Sequence, residues 1–256
     1  MQITDQHLAA HVEYVLRLGD SALILGQRLS EWCGHAPVLE EDLALANQAL
    51  DLIGQARLLL THAGTLERQG RDEDQLAFLR TEGQFRNLVL CELPNGDFAR
   101  TVVRGLLFSA FQQNLWQALT ASSDTNLAAI AGKALKESRY HLHHCADWVV
   151  RLGDGTAESH RRAQSALDFL WPYTAEFFTT NAVDDAVAGA GIGVAWSSLE
   201  PAWETTVLPV IEQATLAIPG RSHFRTSGKL GLHSEHLGHL LTEMQYLQRT
   251  YPGATW

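Results

Sequence analysis

Two long stretches without proline constrain this chain more than any other feature. Pro37, Pro94 and Pro172 bracket residues 38–93 and 95–171, and each stretch has room for two substantial helices. Helical periodicity fills them. Leu18, Ala22, Leu25, Leu29 and Trp32 recur at alternating steps of four and three, which predicts one helix face over roughly 5–32. Gly34-His35-Ala36-Pro37 stops that helix, and Glu40, Glu41 and Asp42 open a second over 38–66, placing negative charge where the helix dipole prefers it. Residues 67–74 read as a loop, and Pro94-Asn95-Gly96-Asp97 as a turn that caps a third helix over 97–121. A fourth follows Ser122-Ser123-Asp124 and closes at Gly153-Asp154-Gly155. Beyond it come helices near 156–179, 196–216 and 232–250, with a Gly-rich joint at 189–193. No segment alternates with period two over several strands. The expected fold is all-α: a ferritin-like long four-helix bundle with additional C-terminal helices, in a single domain over 1–256 because no linker is visible.

Composition narrows the function classes. Hydrophobic residues make up 46% of 256, enough for a sizeable core, and the net charge of −10 leaves no basic stripe to release counterions from a phosphate backbone or an anionic membrane surface. No nucleic-acid or membrane partner is expected. Cys33, Cys91 and Cys145 form neither a disulfide framework nor a metal knuckle. The N-terminal stretch carries His7, His11, Glu13 and Arg17 and does not read as a signal peptide, and Ala186–Trp196 is far too short to span a bilayer, so a cytoplasmic protein is expected.

Long paired helices invite a test for a di-iron carboxylate site, which draws one carboxylate from each of two helices and a Glu-x-x-His from each of the other two. The candidate positions are Asp20, then Asp51 with Gly54, then Glu137 with Tyr140. Gly54 and Tyr140 stand where the two histidines belong, and the third helix around 107–110 has no carboxylate. His141, at i+4 from Glu137, is a possible rescue ligand. The positions therefore read as degenerate, with no metal in this chain, and the remaining acids then need cations. Arg17, Arg57, Lys133, Lys136 and Arg139 lie within a turn or two of them.

Other clusters weigh less. His7 and His11 read as a surface pair. The run from Gly231 to His239 contains His233, Glu235, His236 and His239, but its order is not that of a zinc protease, and a capping or interface role fits better. Gly189-x-Gly191-x-Gly193 lacks the third glycine and preceding strand of a dinucleotide fingerprint.

The blocks Leu29–Pro37, Asp42–Asn47, Asp51–Arg57, Pro94–Phe98, Lys136–Leu142, Gly231–Gly238 and Glu243–Arg249, with Trp256, resemble the ferritin-like subunits of phenylacetyl-CoA 1,2-epoxidase across almost the whole chain. Of the two related subunits, the resemblance is greater to the structural one than to the catalytic one. It implies a multicomponent monooxygenase of aerobic phenylacetate breakdown that epoxidises the ring of phenylacetyl-CoA with dioxygen and NADPH. It implies as partners a catalytic subunit holding di-iron, further small subunits, and a reductase with FAD and an iron–sulfur cluster. On this reading the chain itself has no catalytic residue and presents a helical face to its partner. Trp32, Trp116, Trp148, Trp196 and Trp203, with His233, Glu235 and His236, are the candidate contacts. Two alternatives stay open: a di-iron oxygenase in its own right using Asp20, Asp51, Glu137 and His141, and a CoA-binding module, for which Arg221, His223, Arg225 and Lys229 form a basic set.

Overall fold

The computed structural model describes residues 5–220 and 222–254, so Arg221 and Trp256 lie outside the described residues. Among the described residues ten α-helices follow in order: α1 (Asp5–Ser30), α2 (Leu39–Glu67), α3 (Glu73–Phe78), α4 (Val89–Glu92), α5 (Phe98–Leu119), α6 (Thr125–Gly153), α7 (Ala157–Leu170), α8 (Ala182–Gly189), α9 (Glu200–Gln213) and α10 (Glu235–Thr250). Among the described residues no strand forms beyond one isolated bridge, Ser227 with Leu232, and no helix is long and apolar enough to cross a membrane.

The four long helices fall where periodicity places them. Differences are confined to segments that local pattern reads poorly. Residues 73–92, between the second and third expected helices, hold α3, a 3₁₀ turn at Glu82–Gln84 and α4. The helix expected over 156–179 ends at Leu170, where Pro172 tightens the chain into a 3₁₀ turn over Trp171–Glu176. Trp32 lies beyond the end of α1 rather than on its face.

The chain packs as two compact units, one of residues 1–94 with 226–256 and the other of 95–225. The crossing points, at the Pro94–Asn95 turn and near Arg225, are too short to stand out as linkers.

The first unit is built on the α1–α2 hairpin. Every residue of α1 from Tyr14 to Gly26 is buried, so this helix has no solvated face there; Arg17, Asp20 and Ser21 share the interior with leucines. Segment 80–88 is fastened to α1 by polar bonds. The Ser21 hydroxyl accepts from the Leu88 amide at 3.1 Å while donating to the Arg17 carbonyl at 2.8 Å. Helix α10 then closes over the same segment: the Gln245 amide donates to the Ala77 and Arg80 carbonyls at 3.1 and 3.0 Å.

The second unit is built on the α5–α6 hairpin, with α7 and α9 packed against both helices. Asp124 caps α6 by accepting from the Asn126 and Leu127 amides at 2.9 and 3.1 Å. The Gly-rich joint serves that same turn: Ser123 donates its amide to the Gly191 carbonyl at 2.8 Å, and the Ser122 hydroxyl donates to the Ile192 carbonyl at 2.5 Å. Phe111, Phe177, Phe178, Trp196 and Trp203 form an aromatic core with ring centroids 4.8 to 6.3 Å apart. Gly105 lets α5 approach α6, because a Cβ there would sit 2.4 Å from the Cys145 sulfur.

That close approach makes a prediction. Gly105→Ala should destabilise the chain by about 1–3 kcal/mol through overpacking, and Cys145→Ala in the same chain should recover much of the loss. Urea unfolding of the two single variants and the double variant measures the coupling; additive losses would contradict it.

Candidate functional site

The acid expected on the first helix is the centre of the first unit's polar interior. Asp20 is fully buried and paired with Arg80, itself buried. The guanidinium reaches both carboxylate oxygens, with Nη1 donating to Oδ2 at 2.9 Å and Nη2 to Oδ1, and the Arg86 amide donates to Oδ2 at 2.8 Å. The rest of Arg80 is used as completely. Nε donates to the Leu76 carbonyl at 2.5 Å, Nη1 also donates to the Gln84 carbonyl at 3.1 Å, and the guanidinium lies 4.3 Å over the Phe85 ring. A buried carboxylate is tolerable only when charge and hydrogen bonds are supplied, and here the whole shell comes from residues 76–86.

The cation that reaches both Asp20 oxygens is not one of those near in sequence. Arg17 lies 3.6 Å from Glu13, Arg57 lies 3.4 Å from Glu73, and Arg139 donates to Gln117 at 3.1 Å. Lys133 meets an expected acid, Glu137, at 3.6 Å. Lys136 is exposed.

The other degenerate positions do not face inward as expected. On α2 the buried line runs through Glu41, Leu45, Gln48, Leu52, Gln55, Leu59 and His62, with Asp51 and Gly54 half-buried on its flank. On α6 it runs through Ala134, Ser138, His141 and Cys145. The Glu137 side chain is 16% exposed and Tyr140 is 56% exposed, while the fully buried i, i+3 pair is Ser138 with His141. A one-residue step on a helix rotates a side chain by about 100°, which separates the inward line from the line that sequence spacing picked. His141 is buried, as its place one position further on requires.

These residues do not fit a di-iron centre. Asp20 is already held by a guanidinium and a backbone amide, and the buried line of α2 in the same unit offers, beside Glu41, the amides of Gln48 and Gln55 and the His62 imidazole. In the second unit, taken by itself, the buried line of α6 carries Ser138 and His141, and that of α5 carries Arg104 and Gln112.

A second buried network lies in the first unit. The Glu92 carboxylate accepts from the Ser234 amide at 2.6 Å, the Asn87 side chain at 2.8 Å and His233 Nδ1 at 2.8 Å. His233 Nε2 faces the Phe85 carbonyl at 3.1 Å, so both ring nitrogens lie against oxygen atoms. Arg28 joins the same segments, with Nε donating to the Glu92 carbonyl at 2.9 Å and Nη2 to the His236 carbonyl at 3.2 Å. His233 is thus an internal clasp and not a surface contact; Glu235 is exposed and His236 half-buried. His11, expected on the surface beside His7, is buried with its ring 5.9 Å from that of His62, while His7 is exposed.

The tryptophans divide. Trp116, Trp196 and Trp203 are buried in the second unit, and Trp203 Nε1 donates to the Leu107 carbonyl at 2.9 Å; their burial within this chain removes them from any exposed contact surface. Trp32 and Trp148 are half-buried, Trp148 edge-on to Phe98 at 5.1 Å. The exposed apolar side chains that tryptophan counting missed lie on α2, where Leu39 is 70%, Leu43 57% and Leu50 66% exposed, with Val38 before them and Leu58 beyond. Their recurrence at i, i+4 and i+11 on one helix is a legible signal, since it marks a second apolar stripe apart from the buried one.

An all-α chain built on two long helical hairpins has the fold of a ferritin-like protein. The model of the phenylacetic acid catabolic protein family matches residues 1–256, and the chain belongs to that family. A curated relative, the C subunit of 1,2-phenylacetyl-CoA epoxidase from Escherichia coli (strain K12), is 52% identical over 243 residues, covering 95% of this chain and 98% of that protein.

The Asp20–Arg80 pair supplies a stability test. Arg80→Met leaves a buried carboxylate without its cation and should cost about 3–5 kcal/mol, whereas Asp20→Leu with Arg80→Met should lie much closer to the parent chain. Chemical unfolding of both variants decides it; equal losses would contradict the pairing.

Proposed function

We propose that this chain is the non-catalytic structural subunit of a multicomponent phenylacetyl-CoA epoxidase, pairing with a catalytic ferritin-like subunit in ring epoxidation of phenylacetyl-CoA during phenylacetate catabolism. The observation that carries the non-catalytic role is the Arg80 guanidinium on Asp20: the interior position that a ferritin-like enzyme uses for a ligand is filled by a protein cation. The relative's role as a subunit supports a multi-subunit assembly. On this reading the di-iron belongs to the catalytic partner, and FAD and the iron–sulfur cluster to a reductase of the complex. The competing reading, an oxygenase active by itself through Asp20, Asp51, Glu137 and His141, is disfavoured because Asp20 is sequestered and Glu137 is oriented off the buried line of α6.

The chain's own work is then mechanical. The outer row of α2, Leu39, Leu43 and Leu50, runs over about 17 Å of helix and is the face offered to the catalytic subunit. Burial of such a leucine row against a partner helix would contribute association free energy and fix the partner's register by interdigitation.

Leu43→Glu and Leu50→Glu place charge on that row without touching the chain's interior. The double variant should keep the helicity and melting temperature of the parent, bind the catalytic subunit about thirtyfold more weakly or worse, and lose epoxidation in the reconstituted complex. Undiminished co-purification with the catalytic subunit would overturn the assignment of this face.

A further inference from the structure

The second unit carries a fixed guanidinium that no carboxylate neutralises. Arg100, in the first turn of α5, is held from two sides. The backbone passes over it at Gly96, which has φ +65° and where a Cβ would lie 2.9 Å from Arg100 Cδ and Nε. Phe169 of α7 lies beneath, with the guanidinium 4.2 Å from its ring centroid. Among the described residues Arg100 makes no ion pair; its neighbour Asp97 is committed elsewhere, accepting from the Arg100 backbone amide at 2.9 Å and lying 3.8 Å from Arg162. Arg100 faces a pocket of about 230 Å³ lined also by Arg161, Arg162, Ser165, Ala166 and Asp97.

The two further arginines are pre-positioned as well. Glu158 accepts from Arg161 at 3.0 and 2.8 Å and from Arg162 at 2.7 Å. Those hydrogen bonds hold the Glu158 carboxyl at about 2, so it stays ionised at neutral pH beside both guanidinia. Three guanidinia against the carboxylates of Glu158 and Asp97 leave an excess positive charge, in a chain whose net charge is −10.

We propose that this pocket binds a phosphate group of a small molecule, with Arg100 as its principal donor and Arg161, Arg162 and the Ser165 hydroxyl around it. A planar guanidinium matches phosphate geometry with two parallel donors, and the third and fourth donors suit an anion with three terminal oxygens better than a two-oxygen carboxylate. The overall negative charge of the chain disfavours a nucleic-acid backbone as the source. The site is independent of the α2 stripe and of the subunit role, so its test does not share their fate.

Calorimetric titration of the full chain at low ionic strength with inorganic phosphate, and separately with AMP, tests it. Saturable phosphate binding is expected, weakened about tenfold by Arg100→Gln and by Arg162→Gln, the latter an exposed change that leaves the core untouched. Phe169→Leu keeps every charge and should weaken binding about threefold by releasing Arg100 from its stack, an effect that loose surface electrostatics would not produce. Tighter binding of AMP than of phosphate identifies a nucleotide-type ligand, and equal binding identifies phosphate itself; either supports the site. No saturable binding, succinate binding as tightly as phosphate, or Arg100→Gln and Phe169→Leu variants that retain helicity and bind like the parent would overturn it.

Discussion

A carboxylate buried with no water to solvate it must be matched by charge and by donors at short range, and at Asp20 this requirement organises the whole first unit. Arg80 meets it with two parallel bonds, yet a guanidinium can be buried only if its remaining donors are also used. That demand fixes the Leu76 and Gln84 carbonyls, and so the course of residues 76–86 over α1. The Gln245 amide of α10 then takes the Arg80 and Ala77 carbonyls, so the last helix is ordered by the backbone that presents the cation.

The same unit is assembled from two separate parts of the chain, 1–94 and 226–256, and its second polar network joins them. Glu92, at the end of the first part, accepts three hydrogen bonds, two of them from His233 and Ser234 at the start of the second. Arg28 adds bonds to the Glu92 and His236 carbonyls. Buried ionic contacts of this kind add little net stability over an apolar alternative, but they reject every other placement of the returning chain, because a misplaced segment would strand a charge. The second unit relies instead on apolar packing, with its aromatic core and the close α5–α6 approach at Gly105.

Long helices were legible because apolar residues repeat at helical steps over many turns, and because Gly34–Pro37 and Pro94–Asp97 punctuate them unambiguously. Asp20 was legible for a related reason: an acid amid leucines is an anomaly that burial must resolve. Its partner was not, since Arg80 lies 60 residues away and charge matching by sequence distance favoured Arg17. Glu137 and Tyr140 stand one residue before Ser138 and His141, and on a helix that single step is enough to move a side chain off the fully buried line. Tryptophan identity was a poor guide to contact surface, because a large ring serves a core as well as an interface; the exposed row of Leu39, Leu43 and Leu50 carries the clearer signal. The division into two units left no trace in composition, as each crossing is only a turn or short loop.

The central claim is that a protein cation has taken the place of metal at the ligand position of this chain. Iron content of the purified chain, measured alone and again as a complex with its catalytic partner, tests it most directly. The account predicts iron far below one equivalent in the isolated chain and iron in the complex in proportion to the catalytic subunit. About two irons per isolated chain would contradict it, because Asp20 would then have to release Arg80 to serve as a ligand.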